Sequence, residues 1–192
     1  MTQSSQKNTQ MVVICAPSGT GKSTLLEKLK LEFPRLKWSV SCTTRPMRPG
    51  EREGVDYHYI TKEKFEALIA ENDFIEWARV HSNYYGTSKR FVDQGLSEGV
   101  AMLFDLDVQG ADAMKRIYGA QAQVIFIKPP SLEVLEKRLR GRATDSDEVI
   151  HERLNNARTE ILRANDYDHL VINDDVAKAY KDLKTIVSSL LE

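Results

Sequence analysis

Ala16-Pro-Ser-Gly-Thr-Gly-Lys-Ser23 decides the fold through what stands on either side of it. Before it, Met11-Val-Val-Ile-Cys-Ala16 is a short continuous apolar run rich in β-branched residues, the composition of a parallel strand buried on both faces. After it, the pattern from Ser23 to Phe33 predicts a helix. Leu25, Leu26 and Leu29 line one face, and Pro34 ends the pattern because it has no backbone N–H. A strand that turns through Gly19 and Gly21 into a helix aims successive backbone N–H groups at one point, at the positive end of the helix dipole. Such a point binds phosphate. The bland alternative is a glycine-rich turn with Ser23 as helix N-cap and Lys22 in solvent.

Working outward, the same alternation returns. Val100 to Phe104, Gln123 to Ile127 and His169 to Ile172 read as strands, separated by helical patterns at about 108–118, 131–141, 146–165 and 176–191. Strands alternating with helices imply right-handed βαβ units, hence an α/β fold with a central parallel sheet flanked by helices. The stretch from Trp38 to Gly86 differs, being rich in Arg, Gly, Tyr and Thr. Its runs Tyr57-His-Tyr-Ile60 and Phe74-Ile-Glu-Trp-Ala-Arg-Val80 flank one helical segment beginning at Thr61, which predicts a small inserted lobe of mostly antiparallel strands. The expected division is a disordered polar tail at 1–10, a core formed by 11–37 and 88–192, and a lobe at 38–87.

The whole chain of 192 residues carries a formal net charge of −1, with 41% hydrophobic and 29% charged residues. That composition supports one buried core, and the charge gives no general reason to hold nucleic acid or an anionic membrane. Phosphate affinity must therefore be local. No run approaches the roughly 18 apolar residues of a bilayer span, and the first ten residues show no apolar leader, so a cytoplasmic location is expected. Cys15 lies inside one apolar run and Cys42 follows another, which predicts two buried, reduced thiols. His58, His81, His151 and His169 show no metal-ligand spacing with each other or with the cysteines.

The octapeptide fits the P-loop pattern with Ala16 in place of the first glycine. On that reading the backbone from Ala16 through Pro17, Ser18, Gly19, Thr20 and Gly21 to Thr24 cradles a nucleoside triphosphate. Lys22 brings a mobile charge to its β- and γ-phosphates, and the Ser23 hydroxyl can ligate Mg2+. Asp105 and Asp107 end an apolar run, which places carboxylates at the carboxyl end of a parallel strand, where ligand crevices of α/β sheets lie.

The acceptor is read from the lobe. Ser41-Cys-Thr-Thr-Arg-Pro-Met-Arg-Pro-Gly-Glu51, Gly54-Val-Asp-Tyr57, Phe74-Ile-Glu76 and Asn83-Tyr-Tyr-Gly-Thr87 resemble, in order and spacing, the nucleotide-monophosphate lobe of guanylate kinases. With the P-loop, Asp105-Leu-Asp107, the arginine-rich stretch and Asn173-Asp-Asp175, the resemblance covers nearly the whole chain after residue 10. It implies a P-loop NTPase core, an inserted lobe that binds GMP and an arginine-rich lid at about 138–156. It also implies ATP and GMP as substrates, with Mg2+ accompanying ATP.

In that family the residues matching Arg45, Arg48, Tyr57 and Tyr85 hold the GMP phosphate, and guanidinium forks suit that task. Glu76 matches the carboxylate that accepts from guanine N1–H and the exocyclic amine. Ser41 and Thr87 match hydroxyls near the base edge. By the same resemblance Asp105 and Asp107 face the Mg2+ water shell and the GMP base or ribose, with their roles undivided. Arg138, Arg142 and Arg153 match lid arginines that close over the transferring phosphoryl group, the first two sharing a helix face if the helix persists through Gly141. Asn173 falls in the ATP site. Arg140 has no counterpart and reads as a surface charge. A different class, the non-catalytic guanylate-kinase-like module that binds a phosphorylated peptide, typically carries a degraded P-loop; here Gly21-Lys22-Ser23 is intact.

Overall fold

The computed structural model describes residues 11–80, 82–141 and 146–192. The polar segment 1–10, His81 and Arg142 lie outside them. The strands are β1 (Met11–Cys15), β2 (Lys37–Trp38), β3 (Cys42–Thr43), β4 (His58–Tyr59), β5 (Phe74–Val80), β6 (Asn83–Ser88), β7 (Met102–Asp105), β8 (Ala122–Lys128) and β9 (His169–Ile172). The helices are α1 (Lys22–Glu32), α2 (Lys62–Ala70), α3 (Lys89–Ser97), α4 (Val108–Tyr118), α5 (Leu132–Arg140), α6 (Asp147–Leu162) and α7 (Val176–Leu191).

Five strands form a parallel sheet in the order β2-β7-β1-β8-β9. β1 lies at its centre and is buried throughout, as its apolar run requires. Alternate residues serve opposite faces. Val13 and Cys15 pack with Phe104, Phe126 and Met114 of α4, while Val12 and Ile14 pack with Leu25 and Leu29 of α1 and Leu183 of α7. Each fully buried leucine of this kind contributes about 1.5–3 kcal/mol, and truncating Leu29 to alanine is expected to cost about 2–5 kcal/mol. The helix pair α5 and α6 closes over a smaller cluster of its own, Leu135, Leu139, Ile150, Leu154 and Ala157.

A second, four-stranded sheet has the order β4-β3-β6-β5. β6 runs antiparallel to both β3 and β5, and β3 pairs with β4 in parallel. Thr61 caps α2 by accepting from the Lys64 N–H, and Phe65 of that helix is fully buried, stacked on Phe74 at 4.2 Å and Tyr84 at 5.1 Å between ring centroids. Among the described residues no helix is long and apolar enough to cross a membrane.

Candidate active site

The register of the parallel sheet assembles the first half of the site. Ile14 of β1 pairs with Asp105 of β7, so the loop that follows β1 and the carboxylates that follow β7 emerge side by side. The chain leaves β1 through Gly19 at φ 88° and Gly21 at φ 92°, angles that L side chains rarely adopt. A Cβ on Gly19 would lie 2.7 Å from Leu139 Cδ2, and one on Gly21 would lie 2.7 Å from Asn173 Nδ2. Gly21 is the N-cap of α1 and offers no side chain to its first turn. The other six described α-helices each have a side-chain cap, from Thr61, Ser88, Asp107, Ser131, Ser146 and Asp175. Ser23 is exposed within the first turn of α1 and does not cap it, which removes the bland reading of the loop. The first N–H groups of α1 are thus left without a side-chain acceptor where the dipole favours an anion.

Lys22 is aimed into this space rather than into bulk water. Its Nζ lies 2.5 Å from Asp105 Oδ1 and donates to the Leu106 carbonyl at 2.7 Å. Ser23 and Asp105 line one cavity of about 200 Å³, together with Glu27, Lys30 and Trp38. A hydroxyl and a carboxylate are hard oxygen donors, and no cluster of three or more His, Cys, Asp or Glu gathers around a point among the described residues. That donor set fits Mg2+, which binds through one or two protein oxygens, waters and substrate phosphates rather than an all-protein cage.

The back of the loop is tied down by three elements. The Thr20 hydroxyl donates to the Pro17 carbonyl at 2.7 Å, and the Thr20 carbonyl accepts from Asn173 Nδ2 at 2.7 Å and Arg138 Nη1 at 3.1 Å. Arg138 Nη2 reaches the carbonyls of Asn173 at 3.0 Å and Asp174 at 3.4 Å. Ala16, Pro17 and Thr20 are buried, whereas Ser18 and Thr24 are exposed. Arg153 Nη1 donates to Ser18 Oγ at 3.3 Å, bringing α6 to the loop. α5 ends at Arg140, capped by Gly141, before position 142. Arg140 turns away to Glu136 at 2.8 Å and Asp147 at 2.5 Å. Asn173 is 1% exposed, and its Oδ1 is the one buried side-chain acceptor without a partner among the described residues.

The second half of the site is in the lobe. Arg45 lies over the rings of Tyr57 and Tyr59, at 5.5 and 5.8 Å from their centroids, and Tyr57 meets Tyr59 and Tyr85 edge to face. Glu51 binds Arg45 at 2.8 and 3.0 Å, accepts the Arg48 backbone N–H at 2.8 Å and accepts the Tyr59 hydroxyl at 2.7 Å. The Arg45 guanidinium, then the Arg48 N–H, hold the Glu51 carboxyl down at about 2. Desolvation, then the hydrogen bond to Glu51, pushes the Tyr59 phenol up to about 12. The side chain of Arg48 is exposed.

Glu76 and Thr87 face each other across β5 and β6, and the buried Thr87 hydroxyl donates to Glu76 Oε1 at 2.7 Å. Burial raises the Glu76 carboxyl above its ordinary value; the Thr87 hydrogen bond opposes this and the nearby Asp107 charge adds to it. Asp107 is itself the N-cap of α4, its Oδ1 accepting from Gly110 N–H at 2.7 Å. The two carboxylates that the sequence leaves undivided thus have different partners: Asp105 pairs with Lys22, and Asp107 caps α4 with its charge felt at Glu76. Ser41, half-buried before β3, accepts the His58 N–H on its carbonyl at 2.9 Å. Cys15 and Cys42 are free and buried, with desolvation pushing their thiols up to about 12 and about 11, so neither is a nucleophile.

Two members of the lobe cluster, Glu51 and Tyr59, have no role in the sequence reading. Tyr59 follows Tyr57 at strand period two, which puts both on one face, so its signal is present in the pattern. Glu51 gives no comparable signal, because its partner Arg45 lies across a turn.

The family model described as guanylate kinase matches residues 8–190. The guanylate kinase of Syntrophotalea carbinolica is 47% identical over 182 residues, covering 95% of this chain and 86% of that protein. That of Shewanella violacea is 49% identical over 180 residues, covering 93% and 86%. The crystal structure of guanylate kinase from Anaplasma phagocytophilum superposes with a TM-score of 0.65 at 31% identity, covering 94% of this chain and 85% of that one. With a sheet, a phosphate loop and a second sheet that agree with these likenesses along nearly its full length, the chain belongs to the guanylate kinase family.

Proposed function

We propose that this chain is an ATP:GMP phosphotransferase, moving the γ-phosphoryl group of ATP to the phosphate of GMP and giving ADP and GDP. The observation that carries this is the intact donor loop, with Lys22 held at Asp105 beside an uncapped helix N-terminus, in a chain of this family. An intact loop is what a non-catalytic binding module would not need.

An oxygen of the GMP phosphate is the nucleophile. It bonds to the γ-phosphorus as the bond from that phosphorus to the β–γ bridging oxygen breaks, and ADP departs. The second ionisation of a phosphate monoester lies near pH 6, so the nucleophile is largely ionised at neutral pH and no general base is required. What remains is positioning and charge neutralisation. Backbone N–H groups from Ser18 to Thr24 hold the ATP phosphates, with Ala16 and Pro17 shaping the start of the loop, and Lys22 exchanges Asp105 and the Leu106 carbonyl for them. Ser23 directly, and Asp105 through water, would hold Mg2+, which would supply positive charge against the ATP phosphates. Arg153 and Arg142 supply further positive charge at the transferring group. Arg138, with three carbonyls on its guanidinium, contributes first by fixing the loop and reaches the phosphoryl group only with its remaining donors. The unpartnered Asn173 Oδ1 suits an amino donor on the ATP base.

On the acceptor side, Arg45, Arg48, Tyr57 and Tyr85 take the GMP phosphate. Glu76, oriented by Thr87, accepts from guanine N1–H and the amine, and Ser41 and Asp107 meet the rest of the nucleoside. The substrate pair and the two free thiols support a cytoplasmic setting. The test is the acceptor profile of the purified protein with Mg-ATP. GMP should be phosphorylated far faster than AMP or dTMP, and comparable rates with AMP would overturn the assignment of guanine.

A further inference from the structure

Glu51 has no place in the phosphoryl-transfer scheme, yet among the described residues of the lobe it is a heavily bonded side chain, with four hydrogen bonds. Oε1 accepts from Arg45 Nη2 at 2.8 Å. Oε2 accepts from Arg45 Nη1 at 3.0 Å, the Arg48 N–H at 2.8 Å and the Tyr59 hydroxyl at 2.7 Å. A carboxylate offers about four lone-pair sites, so this one is filled and any effect on a ligand passes through the groups it holds.

Arg45 shows what that effect is. Of the five guanidinium N–H donors, Nη1 gives one to Glu51 and one to the Pro46 carbonyl at 2.8 Å, and Nη2 gives one to Glu51. The pair that Glu51 and Pro46 leave, Nε–H and the second Nη2–H, lies along the other edge of the plane. That edge is the fork that matches two oxygens of a phosphate. Tyr57 and Tyr59 fix the plane by their faces, and the Tyr85 hydroxyl stands at the same guanidinium on the donors that remain, a contact an incoming phosphate would replace. Through the Arg48 N–H, the same carboxylate ties the turn that carries the second arginine.

We infer that Glu51 is a positioning residue for the acceptor phosphate: it locks one end of Arg45 and the backbone of Arg48, so that two guanidinium groups are presented together. The inference rests on the reading of Arg45 and Arg48 as GMP-phosphate ligands. Two effects oppose each other. The negative charge of Glu51 weakens the pull of Arg45 on an anion, whereas its geometry preserves a bidentate bond. The charge penalty falls on Arg45 alone, because Glu51 meets only the backbone N–H of Arg48 and the exposed Arg48 side chain keeps its full charge, so geometry wins.

The experiment compares Glu51→Gln, Arg45→Ala and the double variant in steady-state kinetics, with guanosine as a competitive probe that lacks the phosphate. Glu51→Gln should raise KM for GMP on the order of 10-fold, with KM for ATP and the guanosine inhibition constant within about twofold of the parent. In the Arg45→Ala background the same substitution should add less than about threefold, because the group it acts through is gone. If Arg45→Ala leaves KM for GMP unchanged, the phosphate-site reading fails and the inference with it. If Arg45→Ala raises that KM but Glu51→Gln leaves it unchanged, lowers it, or weakens guanosine as much as GMP, Glu51 alone is refuted as a positioning residue. Full additivity in the double variant refutes it equally.

Discussion

Lys22 and Asp105 meet at 2.5 Å where the carboxyl ends of β1 and β7 lie side by side. The pair is partly solvated, with side-chain exposures of 20% and 44%, so it is not a buried structural bridge, and under the proposed function incoming phosphates displace it.

Lys22→Ala should therefore lower kcat on the order of 100-fold or more with little change in thermal stability, since it removes charge from the transferred group and leaves a solvated Asp105 behind. Single-turnover kinetics and a melting curve check it. A variant that keeps most of its kcat would sink the donor-loop assignment.

Gly21→Ala should damage the loop from the opposite direction. The angle costs roughly 1–2 kcal/mol for an L side chain, and the methyl group would press on Asn173 Nδ2. The melting temperature should fall by roughly 3–8 °C, and KM for ATP should rise more than KM for GMP. A melting temperature within a degree of the parent would show that the loop relaxes at no cost.

Glu76 links substrate choice to pH. Glu76→Gln turns a donor toward guanine donors, and a mispaired buried polar group costs roughly 1–3 kcal/mol, or about 5- to 150-fold in kcat/KM for GMP. Protonation of Glu76 mimics that change. Because the folded carboxyl is raised above 4.5, its protonated form accumulates as pH falls from neutral, before an ordinary glutamate would titrate. KM for GMP should thus climb on the acid side, and Glu76→Gln should lack this limb while keeping the one that belongs to the GMP phosphate. Superimposable pH profiles, or an unchanged GMP:AMP ratio, would show that guanine is read elsewhere.

Arg48→Ala should raise KM for GMP far more than KM for ATP, and Arg48→Lys should recover little, because an ammonium keeps the charge but loses the fork. Steady-state kinetics with each substrate varied in turn decides between this and a general loss of lobe structure, which would move both constants.

Asn173→Ala removes the buried Oδ1 and the bond from Nδ2 to the Thr20 carbonyl. KM for ATP should rise roughly 5- to 50-fold while KM for GMP stays near its starting value, the cost of leaving an amino group and a carbonyl without partners. Parallel shifts in both constants would mean that Asn173 serves the fold alone.

The elements legible in the sequence are those whose own residues carry a complete pattern. α4, α7, β5 and β9 occupy the predicted positions, and the leucines of α1 bury the predicted face. β2 escapes because two residues carry no period, and it exists only by pairing with β7. β6 escapes because its polar and aromatic residues show no apolar alternation. α3 follows β6 without a linker and holds Gly95 in its interior, against helix propensity. In the site, residue types and order are the grounds on which side chains are assigned to phosphate, but they do not tell which of two carboxylates meets Lys22. That depends on how a strand ends and on Asp107 being spent as a helix cap.

The pairing of Ile14 with Asp105 acts as a ruler between the two halves of the donor site. Removing one residue from β7 would slide its carboxylate by about 3.3 Å along β1 and turn it to the opposite face of the sheet, out of reach of Lys22. Every chemically active side chain would still be present. Length, not only composition, is therefore under constraint in these strands, and a single-residue deletion among their buried valines and leucines should be as inactivating as the loss of the lysine itself.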